Sequence, residues 1–129
     1  MDYLQKLGAA FLASLSLVAC VSMSNGQSIV KTTDGYLVGT NNMTLYTFDG
    51  DVAKSGKSVC NGDCAINWPP LLVDVNATSY GDYSIITCDD GKKQFAYKGK
   101  PLYSFFMDKK PGDRTGDNYS NGAWHVIRM

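Results

Sequence analysis

The sequence predicts a mainly β domain: two pseudo-symmetric antiparallel repeats of about four strands each, packed as a small sandwich or barrel behind an N-terminal signal segment. Three observations carry this. All twelve acidic residues are Asp and none is Glu; Asp favours turns and caps, whereas Glu favours helix interiors. Thirteen glycines in the chain, and seven tyrosines after Cys20, point the same way, to tight turns between strands. The third observation is an internal repeat. Asp34-Gly35 recurs as Asp90-Gly91, Leu45-Tyr46-Thr47-Phe48 as Leu102-Tyr103-Ser104-Phe105, Asp51 as Asp108, and Trp68 as Trp124. The offset is 56 at the glycines, 57 at the Leu-Tyr pairs and 56 again at the tryptophans, so order and spacing are kept together.

Taken in order, the chain opens with Leu7 to Ala19, thirteen residues rich in Ala, Leu and Ser. A spanning helix needs roughly twenty apolar residues, so this run reads as a signal segment over 1–19. It ends Leu17-Val18-Ala19-Cys20, which resembles a lipobox. Lipidation at Cys20 would tie the mature chain to a membrane more firmly than the two-signal threshold for stable anchoring. Val21 stands where inner-membrane lipoproteins of two-membrane bacteria often carry Asp, so the expected location is the outer membrane, facing the periplasm. Ordinary secretion is the alternative. Residues 20–28 are polar and unpatterned and read as a flexible tether reaching roughly 15 Å. From Cys20 onward 110 residues remain, with eleven basic and eleven acidic, enough for one domain with a modest core. The bases are scattered rather than striped, which gives no footprint for nucleic acid.

The single β domain covers 29–129, with repeat one at 29–76 and repeat two at 83–129. In repeat one, Ile29 to Lys31 runs into the Asp34-Gly35 turn, Tyr36 to Thr40 follows, Asn41-Asn42 turns again, and Met43 to Phe48 is the third strand. In repeat two, Tyr83 to Cys88, Lys92 to Tyr97 and Pro101 to Phe106 are separated by the Asp90-Gly91 and Lys98-Gly99 turns. Each meander enters a long Gly/Asp/Lys/Asn loop, from Asp49 to Asn67 and from Asp108 to Gly122, before a Trp opens a short final strand. Loops of that length are usually functional or strapped down. Two such units each expose an apolar face, and packing them on one another covers both.

Several runs together resemble a known family: Leu45-Tyr-Thr-Phe-Asp-Gly-Asp51, Cys60-Asn-Gly-Asp-Cys-Ala-Ile-Asn-Trp-Pro-Pro-Leu71, Lys100-Pro-Leu-Tyr-Ser-Phe105 and Trp124-His125-Val126. The chain resembles the bacterial lipoproteins described as a secreted repeat of unknown function, which carry Tyr-x-aromatic-x-x-Asp in each repeat. Here that motif occurs twice, as Tyr46, Phe48, Asp51 and as Tyr103, Phe105, Asp108. The resemblance implies an envelope location and brings no activity. Cys88 departs from the family pattern.

Two readings of the motif remain open. Tyr46 and Phe48 share a strand face, as do Tyr103 and Phe105. In one reading these faces meet in the core while Asp51 and Asp108 end the strand and accept from amides of the following loop. In the other, two symmetric Tyr/Asp clusters line a cleft and hold a small ligand, which makes these six residues the candidate binding set.

With Cys20 lipidated, Cys60, Cys64 and Cys88 remain in an oxidising compartment. The simplest pairing is a Cys60-Cys64 disulfide that leaves Cys88 as a buried thiol. The alternative is a metallochaperone-like copper site, because thiolates with imidazole or thioether suit Cu(I); its ligands would be Cys60, Cys64, Met107 and His125. Asp108, Asp113 and Asp117 do not have calcium-loop spacing and read as turn carboxylates. There is no Gly-x-Ser-x-Gly elbow, no paired Glu and no glycine-rich phosphate loop, and His125 is the only obvious general base near neutral pH. The expectation is therefore a non-enzymatic, cofactor-free envelope lipoprotein that binds an envelope component or small molecule. An unrecognised hydrolase or redox enzyme is a further alternative.

Overall fold

A computed structural model describes residues 29–129; the signal segment 1–19, the tether 20–28 and Cys20 lie outside the described residues. Strands β1 (Val30–Thr33) and β2 (Tyr36–Gly39) form a hairpin in which Thr33 pairs with Tyr36. Its two turn residues, Asp34 and Gly35, both have positive φ, at 52° and 83°. That is the backbone a two-residue turn needs to match the twist of its strands. After β3 (Tyr46–Phe48) comes the first long loop, which ends in the short helix α1 (Asp63–Asn67) and leads to β4 (Leu72–Val73). Repeat two places β5 (Tyr83–Thr87) against β6 (Lys93–Tyr97), followed by β7 (Lys100–Pro101). Its long loop ends in α2 (Tyr119–Gly122), where Ser120 and Asn121 are left-handed, and β8 (Trp124–Val126) follows.

The mainly β fold with two antiparallel repeats is as the turns and the duplication predict. The connection between repeats is not visible in the sequence: they exchange their final strands. β8 of repeat two pairs with β3 of repeat one, Tyr46 opposite Val126 and Phe48 opposite Trp124. β4 of repeat one pairs with β6 of repeat two, Leu72 opposite Gln94. At the centre Tyr46 and Tyr103 exchange both backbone bonds, at 2.7 and 2.9 Å, so the two motif tyrosines face each other across the pseudo-twofold axis. The described strands form small sheets, with no closed barrel among the described residues. The expected strands from Met43 to Phe48 and from Pro101 to Phe106 shorten to β3 and β7 with isolated bridges at Thr44 and Tyr103.

The hairpins also differ. The β5–β6 connection takes residues 88–92, closed by a bond from Cys88 N–H to Lys92 O of 2.8 Å, whereas the first hairpin turns on Asp34-Gly35 alone. Leu37 O accepts from Leu45 just as Phe95 O accepts from Leu102, so the strands match at an offset of 58 although the turn glycines match at 56.

Adjacent residues on an extended chain point to opposite faces. Leu45 and Leu102 therefore enter one buried cluster with Val30, Leu37 and Phe95, while Tyr46 and Tyr103 enter another with Trp68, Phe105, Trp124 and Val126. In the second cluster Trp68 and Trp124 stack at 3.8 Å with their planes 1° apart. Phe105 stacks on Trp68 at 4.1 Å and Phe48 on Trp124 at 4.3 Å, which makes a four-ring column. Tyr46 meets Trp68 edge-on at 5.4 Å, and Tyr103 meets Trp124 at 5.1 Å. Each such contact contributes about 0.5–1.5 kcal/mol beyond area burial.

Candidate functional site

The motif residues are brought together across the repeats. Tyr46 Oη donates to Asp108 Oδ2 at 2.6 Å, and Tyr103 Oη donates to Asp51 Oδ2 at 2.6 Å. Each repeat's tyrosine thus holds the other repeat's aspartate. The remaining aspartate oxygens reach forward into their own loops: Asp51 Oδ1 accepts from Val59 N–H at 2.7 Å, and Asp108 Oδ1 accepts from Thr115 N–H at 3.0 Å and its hydroxyl at 2.6 Å. Both long loops are strapped down by these carboxylates, as their length led one to expect.

Tyr46, Asp51, Tyr103, Phe105 and Asp108 are buried, and Phe48 is half-buried in the ring column. This is the geometry of the core reading, with the aspartates clamping loop amides; none of the six lines the two grooves described below. Burial, and then the neighbouring carboxylate, raises the phenol pKa of Tyr46 and of Tyr103. Both therefore act as hydrogen-bond donors throughout the physiological range.

Sequence reasoning missed the residues that complete these clamps. Ser58 shares a hydrogen bond of 2.5 Å with Tyr103 Oη, and Gly116 N–H donates to Tyr46 Oη at 3.2 Å. Lys100 Nζ donates to the carbonyls of Phe48 and Asp51 at 2.7 and 2.9 Å. Buried Gln94 donates to Leu102 O at 2.9 Å and accepts from the Cys88 thiol at 3.3 Å. Among the described residues no buried side-chain nitrogen or oxygen lacks a partner. Only Lys100, in its Lys-Gly-Lys-Pro turn, carried a local signal, and that signal indicated a turn rather than a partner.

Cys60 and Cys64 form a disulfide across a Cα separation of 5.2 Å. Cys88 is a free, half-buried thiol whose pKa is raised by burial and by Asp90 and Asp89. Of the four residues of the alternative copper set, Cys60 and Cys64 have their sulfurs bonded to each other, Met107 is exposed, and His125 Nε2 lies 3.0 Å from Asp49 Oδ2. Asp113 and Asp117 are turn carboxylates. Asp113 accepts from Lys109 N–H at 2.8 Å and pairs with Lys110 at 3.1 Å, which holds its carboxyl below the usual range. Asp117 accepts from Val126 N–H at 3.1 Å.

Two grooves open where the long loop of one repeat overlies the hairpin of the other. One, of about 370 Å³, is lined by residues that include Lys54, Asp82, Ser84 and Lys98. The second, of about 300 Å³, is lined by Thr33, Asp34, Tyr36, Asn42, Pro111 and Arg114, among others.

Residues 28–72 and 84–128 each match the model of a family described as a secreted repeat of unknown function. The chain belongs to this family. One copy of the family repeat falls in each half of the fold, and the exchanged strands and crossed Tyr–Asp pairs join the two copies. Family membership places the chain among secreted proteins, in an extracellular or envelope setting. Among the described residues no helix is long and apolar enough to cross a membrane. No curated protein and no solved structure matches the chain.

Proposed function

We propose that the protein is a lipid-anchored component of the bacterial cell envelope, held at Cys20, whose domain serves as a non-catalytic binding or structural module. One observation carries the reading. The motif's tyrosines and aspartates are buried and lock the two repeats together, Tyr46 to Asp108 and Tyr103 to Asp51. The Cys60–Cys64 disulfide supports an oxidising compartment. The lipobox-like Leu17-Val18-Ala19-Cys20 supports the anchor, and Val21 favours the outer membrane.

Anchoring is tested by growing cells with a labelled fatty acid and fractionating them, comparing the natural chain with Cys20→Ser. The reading expects label and protein in the membrane fraction for the natural chain, with loss of both for the variant. An unlabelled natural chain recovered as free secreted protein contradicts it.

A further inference from the structure

The groove over the β1–β2 hairpin holds a charge arrangement that the fold itself does not require. Tyr36, at the start of β2, has two guanidinium groups over its ring: Arg114 at 4.1 Å from the ring centroid and Arg128 at 5.4 Å. Repeat two contains a direct control. Tyr36 bridges Arg128 as Gln94 pairs with Leu72, so the same backbone positions there carry an uncharged, non-aromatic pair. The aromatic ring and its cations are thus particular to one of two positions with equivalent strand pairing.

The two guanidinium groups differ in how they are neutralised. Arg128 reaches Asp117 at 3.4 Å, while Arg114 makes no ion pair among the described residues and is exposed at the groove. Like charges on one ring repel, and an anion seated beside Arg114 would relieve this. The Arg114 backbone is held from both sides. Asp113 is fixed by Lys109 and Lys110, its carbonyl accepts from the Thr44 hydroxyl at 2.7 Å, and Thr115 is clamped to Asp108. A guanidinium fork on a fixed backbone, stacked on a ring, is preorganised for the planar carboxylate it matches in shape. The remaining lining is mixed: Thr33, Asn42 and Asp34 bring a hydroxyl, an amide and a carboxylate, beside apolar Val38 and Pro111. Asp34 disfavours a bare anion and accepts from hydroxyl groups. The volume of about 300 Å³ is at the small end of ligand sites.

The geometry points to this groove as a binding site for a compact hydroxylated carboxylate, an acidic sugar, with Arg114 holding the carboxylate and Asp34, Thr33 and Asn42 meeting its hydroxyls. The inference deepens the binding-module reading and rests on it. It is tested on the full-length protein, purified in detergent, by NMR-monitored titration with D-glucuronate, D-glucose and inorganic phosphate. Saturable glucuronate binding is expected, with shifts around Tyr36 and Arg114, and with glucose and phosphate each weaker by about tenfold or more. Arg114→Ala and Arg114→Lys should each lose about tenfold in affinity with the unfolding midpoint unchanged. Absence of saturable glucuronate binding up to roughly 20 mM overturns the proposal. So does equal binding of phosphate, which would make the groove a bare anion site, or unaltered affinity in Arg114→Ala. Cell fractionation is read independently of this titration, so failure of the groove and failure of the anchored-module reading are told apart.

Discussion

Tyr103→Phe removes one hydroxyl from the interlock and tests what that interlock contributes. Among the described residues Tyr103 Oη is the sole partner of Asp51 Oδ2, at 2.6 Å, and it also bonds Ser58 at 2.5 Å. Asp51 is 2% exposed, so water does not replace the missing donor without rearrangement. A hydrogen bond to a charged group contributes about 1.5–3 kcal/mol, and leaving a buried acceptor bare adds a desolvation cost. The expected loss is about 2–3 kcal/mol, which for a domain of this size lowers Tm by roughly 10–20 °C. The assay is urea unfolding of the full chain carrying Cys20→Ser, followed by the fluorescence of the stacked Trp68 and Trp124. A double-mutant cycle with Asp51→Ala isolates the pair and should give a coupling of at least about 1.5 kcal/mol. A loss below about 0.5 kcal/mol with no coupling would refute the reasoning and show that the repeats are joined by backbone pairing and ring packing alone.

Three further outcomes follow from the same geometry. Unfolded tyrosine ionises near pH 10, whereas native Tyr46 and Tyr103 are held protonated above that. Their stabilising contribution is therefore complete below about pH 10 and is lost as pH rises beyond it, with a slope approaching 2.7 kcal/mol per pH unit for two protons; a urea midpoint that stays flat from pH 9 to pH 11.5 contradicts this. Reduction, or Cys60→Ser with Cys64→Ser, opens a small ring and should cost about 2 kcal/mol in the chain-entropy model, read as a lower urea midpoint. Gly116→Ala places a methyl group 2.7 Å from Trp68 and 3.0 Å from Phe105, and overpacking of that kind costs about 1–3 kcal/mol. An unchanged midpoint in that variant would show that the ring column yields freely.

The β class, the duplication and the clamped loops were legible because each rests on local chemistry. Asp34-Gly35 carries the backbone freedom a two-residue turn needs, and the recurrence of Tyr46, Phe48 and Asp51 as Tyr103, Phe105 and Asp108 marks equivalent positions. The exchange of β4 and β8 was not legible, because a strand's pattern records which face is buried and not which neighbour it pairs with. Crossing of Tyr46 to Asp108 follows from that exchange and was hidden for the same reason. The longer β5–β6 turn was concealed by a turn glycine that kept the offset at 56. The helix α1 lay inside what read as loop, since its five residues are too few to show a period. Pairing of Cys60 with Cys64 was legible from spacing. The Arg114–Tyr36–Arg128 arrangement was not, because those residues are far apart in sequence and meet only when the second long loop folds over the first hairpin.

Intact mass spectrometry of the protein extracted from its own envelope, with and without reductant, tests the central claim most directly. An anchored, stapled β module predicts a chain that begins at Cys20, carries a diacylglyceryl group and usually a third acyl chain, and gains two hydrogens on reduction at Cys60 and Cys64. A chain that lacks lipid at Cys20, or whose Cys60 and Cys64 are both free thiols when isolated, would contradict it.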